Sequence, residues 1–166
     1  DESLTSQAIV EACTTHNVSV LRLVPDAAIV GLFMLKPEGS VTAVRPTQTA
    51  IGDLALVLHT SGTTKKPKIV PLLHTNLSNG IQFVASTLQR TESDLCLNVM
   101  PLFHIHGLIA NVGVSCYAKS RVIASAFMGG GDFLDQLKRD GLRPSWYSAV
   151  PTMHEAILLE AEKKGK

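Results

Sequence analysis

A chain of 166 residues is long enough to bury a core of its own, since a domain of this size removes about 70% of its unfolded surface from water, but 45% hydrophobic against 17% charged residues leaves little polar covering for that core. Lys and Arg number 15 against 14 Asp and Glu, a net charge of +1, and no basic run is interleaved with aromatics, which argues against a nucleic-acid partner. Three widely spaced cysteines, Cys13, Cys96 and Cys116, indicate neither a disulfide framework nor a Cys-x-x-Cys metal site and fit a reducing compartment, and apolar stretches such as Ala27 to Leu35 fall far short of the ~20 residues that span a bilayer.

In chain order, apolar residues at helical spacing run from Leu4 to Thr15, and a β-branched apolar run from Val18 to Val24 reads as a strand. The stretch from Leu35 to Gly52, with Pro37, Gly39 and Pro46, reads as an irregular connection. Strands are then expected at Leu54 to Leu58, Leu95 to Met100, Arg121 to Ala124 and Trp146 to Val150, and helices at Leu77 to Leu88, Ile105 to Tyr117, Phe133 to Asp140 and Met153 to Lys163. Asp132 is the expected N-cap of the helix that Gly141 follows, Thr152 and Glu155 have capping-box spacing after Pro151, and Gly129-Gly130-Gly131 reads as a flexible turn. The alternation predicts one α/β segment over 1–166, a mainly parallel sheet with flanking helices and ligands at the carboxyl ends of its strands. No Met precedes Asp1, and Lys163 to Lys166 reads as the polar last turn of a helix, so both ends are expected to be cut.

Beyond the strand at Leu54 and His59 comes Thr60-Ser61-Gly62-Thr63-Thr64-Lys65-Lys66-Pro67-Lys68. Gly, Ser and Thr let backbone N–H groups and hydroxyls converge on phosphate oxygens, and Lys68 adds a point charge. The spacing excludes a Walker loop, because Pro67 stands where that pattern needs its second Gly. An ordinary polar turn between strand and helix is the alternative.

The loop resembles the phosphate-binding motif of the adenylate-forming superfamily, which includes acyl-CoA synthetases, luciferases and peptide-synthetase adenylation domains. Thr60, Ser61, Gly62, Thr63, Thr64, Pro67 and Lys68 match it, while Lys65 and Ile69 replace glycines. Met100-Pro101-Leu102-Phe103-His104-Ile105-His106-Gly107-Leu108 resembles the next motif of that family, with His104 at the position bordering the acyl pocket, and Ser145 to Leu158 resembles a further pocket segment with Ser148 as its candidate. The wording is similar to that of the oxalyl-CoA synthetases and related peroxisomal CoA ligases. The resemblance implies the large N-terminal domain of an ATP-dependent carboxylate-CoA ligase: Thr60 to Thr64 and Lys68 grip the phosphates of ATP, His104 and Ser148 border a small acid such as oxalate, and Mg²⁺ and coenzyme A complete the reaction. The compartment it implies is the cytoplasm, or the peroxisome if the parent carries a C-terminal address.

His104 and His106 alternate as metal ligands sometimes do, but no Cys, Asp or Glu lies near in sequence to complete a site, and His106 also reads as a buried structural residue. The family's Tyr-Gly-x-Thr-Glu and Thr-Gly-Asp segments are absent: Tyr117 and Tyr147 precede Ala118 and Ser148, and neither Gly52-Asp53 nor Gly131-Asp132 follows a Thr. The chain is therefore expected to be an internal fragment, inactive alone, whose partner is the remainder of the same polypeptide. A second reading is a truncated, non-catalytic homologue that binds a phosphate, a nucleotide or a protein. A third, a hydrolase using Ser61 or Ser148 with a nearby His, lacks a Gly-x-Ser-x-Gly elbow.

Overall fold

The structure, a computed structural model, describes residues 7–29, 32–38, 47–60, 67–139, 141 and 143–165. Contacts gather in two units, residues 1–48 and 49–166. The first contains helix α1 (Gln7–Thr15) and an antiparallel hairpin of β1 (Val20–Pro25) and β2 (Phe33–Glu38), in register from Val20 opposite Glu38 to Pro25 opposite Phe33. At its turn the Asp26 carboxylate accepts the N–H groups of Ala28 and Ile29 at 2.8 and 2.9 Å, which holds its pKa below the usual carboxylate value. The strand β2 overlaps the stretch that the sequence presents as irregular. Pro37 is the reason: a residue without an N–H argues against a strand interior, but a two-stranded ribbon has free edges that tolerate it.

The second unit opens with another antiparallel hairpin, β3 (Leu54–Thr60) with β4 (Lys68–Leu73), in which Thr60 faces Lys68 and Pro71 again sits in a ribbon strand. Helix α2 (His74–Thr87) follows, and Asn76 Oδ1 accepts the Leu73 N–H at 2.8 Å at its start. The sheet proper has three parallel strands, β5 (Leu95–Asn98) in the centre between β6 (Arg121–Ala124) and β7 (Trp146–Tyr147). A wide-wound π-helix (His106–Gly113) running into the short α3 (Val114–Tyr117) connects β5 to β6, and α4 (Gly130–Leu137) and α5 (Pro151–Lys163) complete the fold. The expected α/β architecture with a parallel sheet is thus present, with two antiparallel ribbons added to it.

Leu95 to Met100 is a continuous buried run, as a parallel strand covered on both faces requires. On one face Leu97 and Val99 pack with Phe133 of α4 and Ile157 of α5, joined by Ile123, Phe127, Leu134 and Tyr147. On the other, Asn98 meets the π-helix. The amino ends of the strands are tied by Asp94: its carboxylate accepts the Ser145 hydroxyl at 2.7 Å, its carbonyl accepts the Arg121 N–H at 3.3 Å, and Ser145 Oγ accepts the Leu95 N–H at 3.0 Å. The Ser145 hydroxyl is the main reason that the Asp94 pKa lies low, and Arg90 reaches Asp94 at 3.4 Å while lying over the Trp146 ring at 5.5 Å.

Three local expectations change. Helix α4 begins earlier than expected, so Asp132 lies in its first turn, where it accepts from Gln136 Nε2 at 2.6 Å instead of capping. Helix α5 starts at Pro151 with Val150 as N-cap, which moves Thr152 inside the helix and leaves no side-chain cap bond. Gly130 is no flexible turn residue: it is buried in the first turn of α4, and a Cβ there would run into the Ala156 carbonyl oxygen of α5. A Gly130→Ala substitution therefore has to push the helices apart, and urea denaturation should show a loss of about 1–3 kcal/mol. Burial pushes the Cys96 thiol up to about 11, so maleimide labelling of the native protein should modify the exposed Cys116 and spare Cys96.

Candidate functional site

The carboxyl ends of β5 and β7 deliver Asn98 and, one residue beyond the strand, Ser148. Neither is left without a partner. Asn98 Oδ1 accepts the Met100 N–H at 3.3 Å while its Nδ2 donates to the Met100 carbonyl at 3.1 Å. A peptide group cannot exchange its donor and acceptor, so these two bonds fix which way the Asn98 amide faces. Its Oδ1 then accepts Asn111 Nδ2 at 2.7 Å, which leaves Asn111 Oδ1 to accept the Ser148 hydroxyl. Ser148 has one hydrogen and has used it, so in its 2.8 Å contact with His106 the imidazole is the donor, through Nε2–H. Asn98 and Asn111 are almost wholly inaccessible to solvent, at 1% and 0%. A buried chain of this kind stabilises only when every member is satisfied, which this one is through the bonds named.

Two glycines and a change of winding bring these groups together. Gly107 sits where a Cβ would lie 2.5 Å from the Pro101 carbonyl oxygen, so the turn carrying His104 and His106 closes tightly on itself. The His104 N–H donates to the Pro101 carbonyl at 3.1 Å, and the His106 N–H donates to His104 Nδ1 at 3.1 Å. Gly113 lets the other end of the π-helix pack against Ile81 of α2. His106 and Asn111 are five residues apart, a separation that in an α-helix points side chains about 140° apart; hydrogen bonding five residues along brings both to Ser148.

A second group of residues lies where β3 ends and β4 begins. Thr60 and Lys68 are cross-strand partners there, and Thr60, His59 and His104 line a cleft of about 470 Å³ together with Leu72 and Phe103. Ser61, Gly62, Thr63, Thr64 and Lys65 lie outside the described residues. Of the expected site residues, Thr60 and His104 share this cleft, Lys68 stands opposite Thr60, and Ser148 is engaged with His106 and Asn111. Asn98 and Asn111 were not expected; their one signal is a lone carboxamide inside each of two apolar runs.

A Ser–His pair at 2.8 Å has the spacing of a nucleophile and its base. The polarity is the reverse of what nucleophilic attack needs, because His106 donates to Ser148 and the Ser148 proton is committed to Asn111. Among the described residues no three His, Cys, Asp or Glu side chains gather into a group that could hold a metal ion. No helix of the described residues is long and apolar enough to cross a membrane.

Burial, with the neighbouring His104 as a smaller cause, holds the His106 pKa below its ordinary 6.5. The unfolded chain binds this proton more readily than the folded one, so the stabilisation is complete above pH 6.5 and is lost as the pH falls through the folded-state value. Asp26 and Asp94 lose theirs only below 3.8. Thermal unfolding followed from about pH 7.5 to about pH 5.5 should therefore show a falling midpoint, with a shallower fall in His106→Gln.

Comparison with known proteins extends this picture. The family model described as AMP-binding enzyme matches residues 1–166. The chain is 40% identical over 135 residues to the "Probable CoA ligase CCL9" of Humulus lupulus, covering 77% of this chain and 25% of that protein. It is 42% identical over 108 residues to an oxalate-CoA ligase of Arabidopsis thaliana, covering 64% of this chain and 21% of that one. The structure superposes on ATP-bound MatB from Rhodopseudomonas palustris with a TM-score of 0.61 at 28% identity, covering 70% of this chain and 22% of MatB. The chain thus spans about a quarter or less of the relatives it matches, and it belongs to the AMP-binding enzyme family, as the Thr60 to Lys68 loop and the His104 motif imply.

Proposed function

We propose that the protein containing this chain is an ATP-dependent carboxylate-CoA ligase acting on oxalate or a similarly small acid. A carboxylate oxygen attacks the α-phosphorus of ATP, the bond to the bridging oxygen of the β-phosphate breaks, and acyl-adenylate and pyrophosphate result. The thiol of coenzyme A then displaces AMP to form the thioester. In this reading Thr60 and Lys68, with Ser61, Gly62, Thr63 and Thr64 between them, hold the β- and γ-phosphates, and His104 meets the acid. The observation that carries it is the shared cleft: Thr60, at the mouth of the hairpin loop, and His104, on the turn after β5, line one space of about 470 Å³. Such a site accelerates adenylation mainly by alignment and by neutralising charge on the leaving pyrophosphate. The oxalate-CoA ligase likeness supports a small polar acid.

The remainder of the same polypeptide is the proposed partner. Phe103 is 87% exposed and Ile69 68% exposed, apolar surface of the kind that further protein covers. The compartment proposed is the cytoplasm, or the peroxisome if the protein bears a C-terminal address.

Acid-dependent exchange of labelled pyrophosphate into ATP by the full-length protein tests the reading. Oxalate should support exchange, and Lys68→Ala should lower its rate by at least about tenfold, the loss expected when a phosphate oxygen loses a charged hydrogen-bond donor. Exchange unchanged by Lys68→Ala would remove Lys68 from the site. No exchange with oxalate or other small acids would leave the non-catalytic binding module as the better description.

A further inference from the structure

Only one of the two imidazoles on the turn after β5 lines the cleft. His104 does; His106 is half-buried and spends its Nε2–H on Ser148. The two are nevertheless one assembly, because the peptide N–H of His106 donates to Nδ1 of His104. With Nδ1 accepting, neutral His104 must carry its proton on Nε2, leaving that N–H available to an acceptor in the cleft.

The polarity is fixed from Met100 to the His106 ring, and from there the link to His104 is one of position, since the anchored His106 places its peptide N–H against His104 Nδ1. The Met100 peptide orients Asn98, Asn98 orients Asn111, Asn111 takes the Ser148 hydrogen, Ser148 takes the His106 ring hydrogen, and the His106 main chain fixes the ring of His104. We infer that Ser148 and Asn111 are positioning residues: by anchoring the His106 ring they hold in place the peptide N–H that keeps His104 as the Nε2–H tautomer, so that it presents a fixed donor to a carboxylate oxygen of the acid. Ser148 accordingly acts through His104 and does not itself touch the substrate. The wide winding of His106–Gly113 is part of the device, since it is what lets both His106 and Asn111 reach one hydroxyl.

This inference rests on the proposed acid-binding role of His104, and the test separates the two. Long-range ¹⁵N–¹H spectra of the full-length protein labelled at histidine, assigned with His104→Gln and His106→Gln, report tautomers whether or not the protein turns over. Both residues should appear as Nε2–H in the unmodified protein. In Ser148→Ala, His104 should become a mixture of tautomers and the KM for the acid should rise about tenfold, the effect of losing one oriented hydrogen bond, while the KM for ATP stays put. Ser148→Thr, which keeps the hydroxyl, should recover both.

An Nδ1–H form of His104 in the unmodified protein overturns the inference at once, without recourse to any variant. So does a His104 signal indifferent to Ser148→Ala, or a Ser148→Thr protein as impaired as Ser148→Ala. If the tautomers follow expectation but no acid supports exchange, the positioning chain stands and the ligase reading falls.

Discussion

A backbone N–H always donates and a backbone carbonyl always accepts, and at Met100 that fact sets the direction of the bonds from Asn98 to the His106 ring. Side-chain amides, hydroxyls and imidazoles can each exchange roles by a flip, a rotation or a tautomer shift. A chain made only of such groups would have two equivalent polarities and hold nothing in place. Here Asn98 is tied at both ends of its amide to one backbone residue, so a single polarity survives from the strand end to the His106 ring. Burial of Asn98 and Asn111 makes the choice firm, because flipping either amide would leave a donor facing a donor out of reach of solvent.

The sheet supplies the rigidity on which this depends. Strand β5 is covered on both faces, by α4 and α5 on one side and the π-helix on the other, so Asn98 leaves it at a defined height and angle. At the opposite end Asp94, Ser145 and Arg90 tie the three strands together. Stability and chemistry therefore occupy opposite ends of the same three strands, as in other parallel sheets whose ligands sit beyond the carboxyl ends.

Much of this frame is legible in the residues. The strand beginning at Leu95 announces itself because a doubly covered strand needs an uninterrupted apolar run, and those at Arg121 and Trp146 because β-branched and aromatic residues favour strands. The family is legible because the local wording of Thr60 to Lys68 and of the His104 motif carries it. The ribbon strands at Phe33 and Lys68 are obscured by Pro37 and Pro71, which a free-edged ribbon accepts and a sheet interior would not. Asn98, Asn111 and Ser148 could not be joined beforehand: 13 residues separate the first two and 37 the next pair, and a single carboxamide in an apolar run looks like an interruption until its partner is known. The winding of His106–Gly113 is equally hidden, since a run as uniformly apolar as Leu108-Ile109-Ala110 carries no periodicity to distinguish four residues per hydrogen-bonded turn from five.

That winding also bears on how length and chemistry are related in this segment. Side chains four apart on an α-helix share a face, as His106 and Asn111 do at five apart on the wider one. The segment is thus equivalent to an ordinary helix with a residue inserted, the surplus absorbed by the coil instead of by rotating the pair. A chain one residue shorter here could offer the same two groups from a regular helix. Aligning two such proteins by the role of these side chains would then put the gap inside the helix, where gap placement ordinarily avoids it.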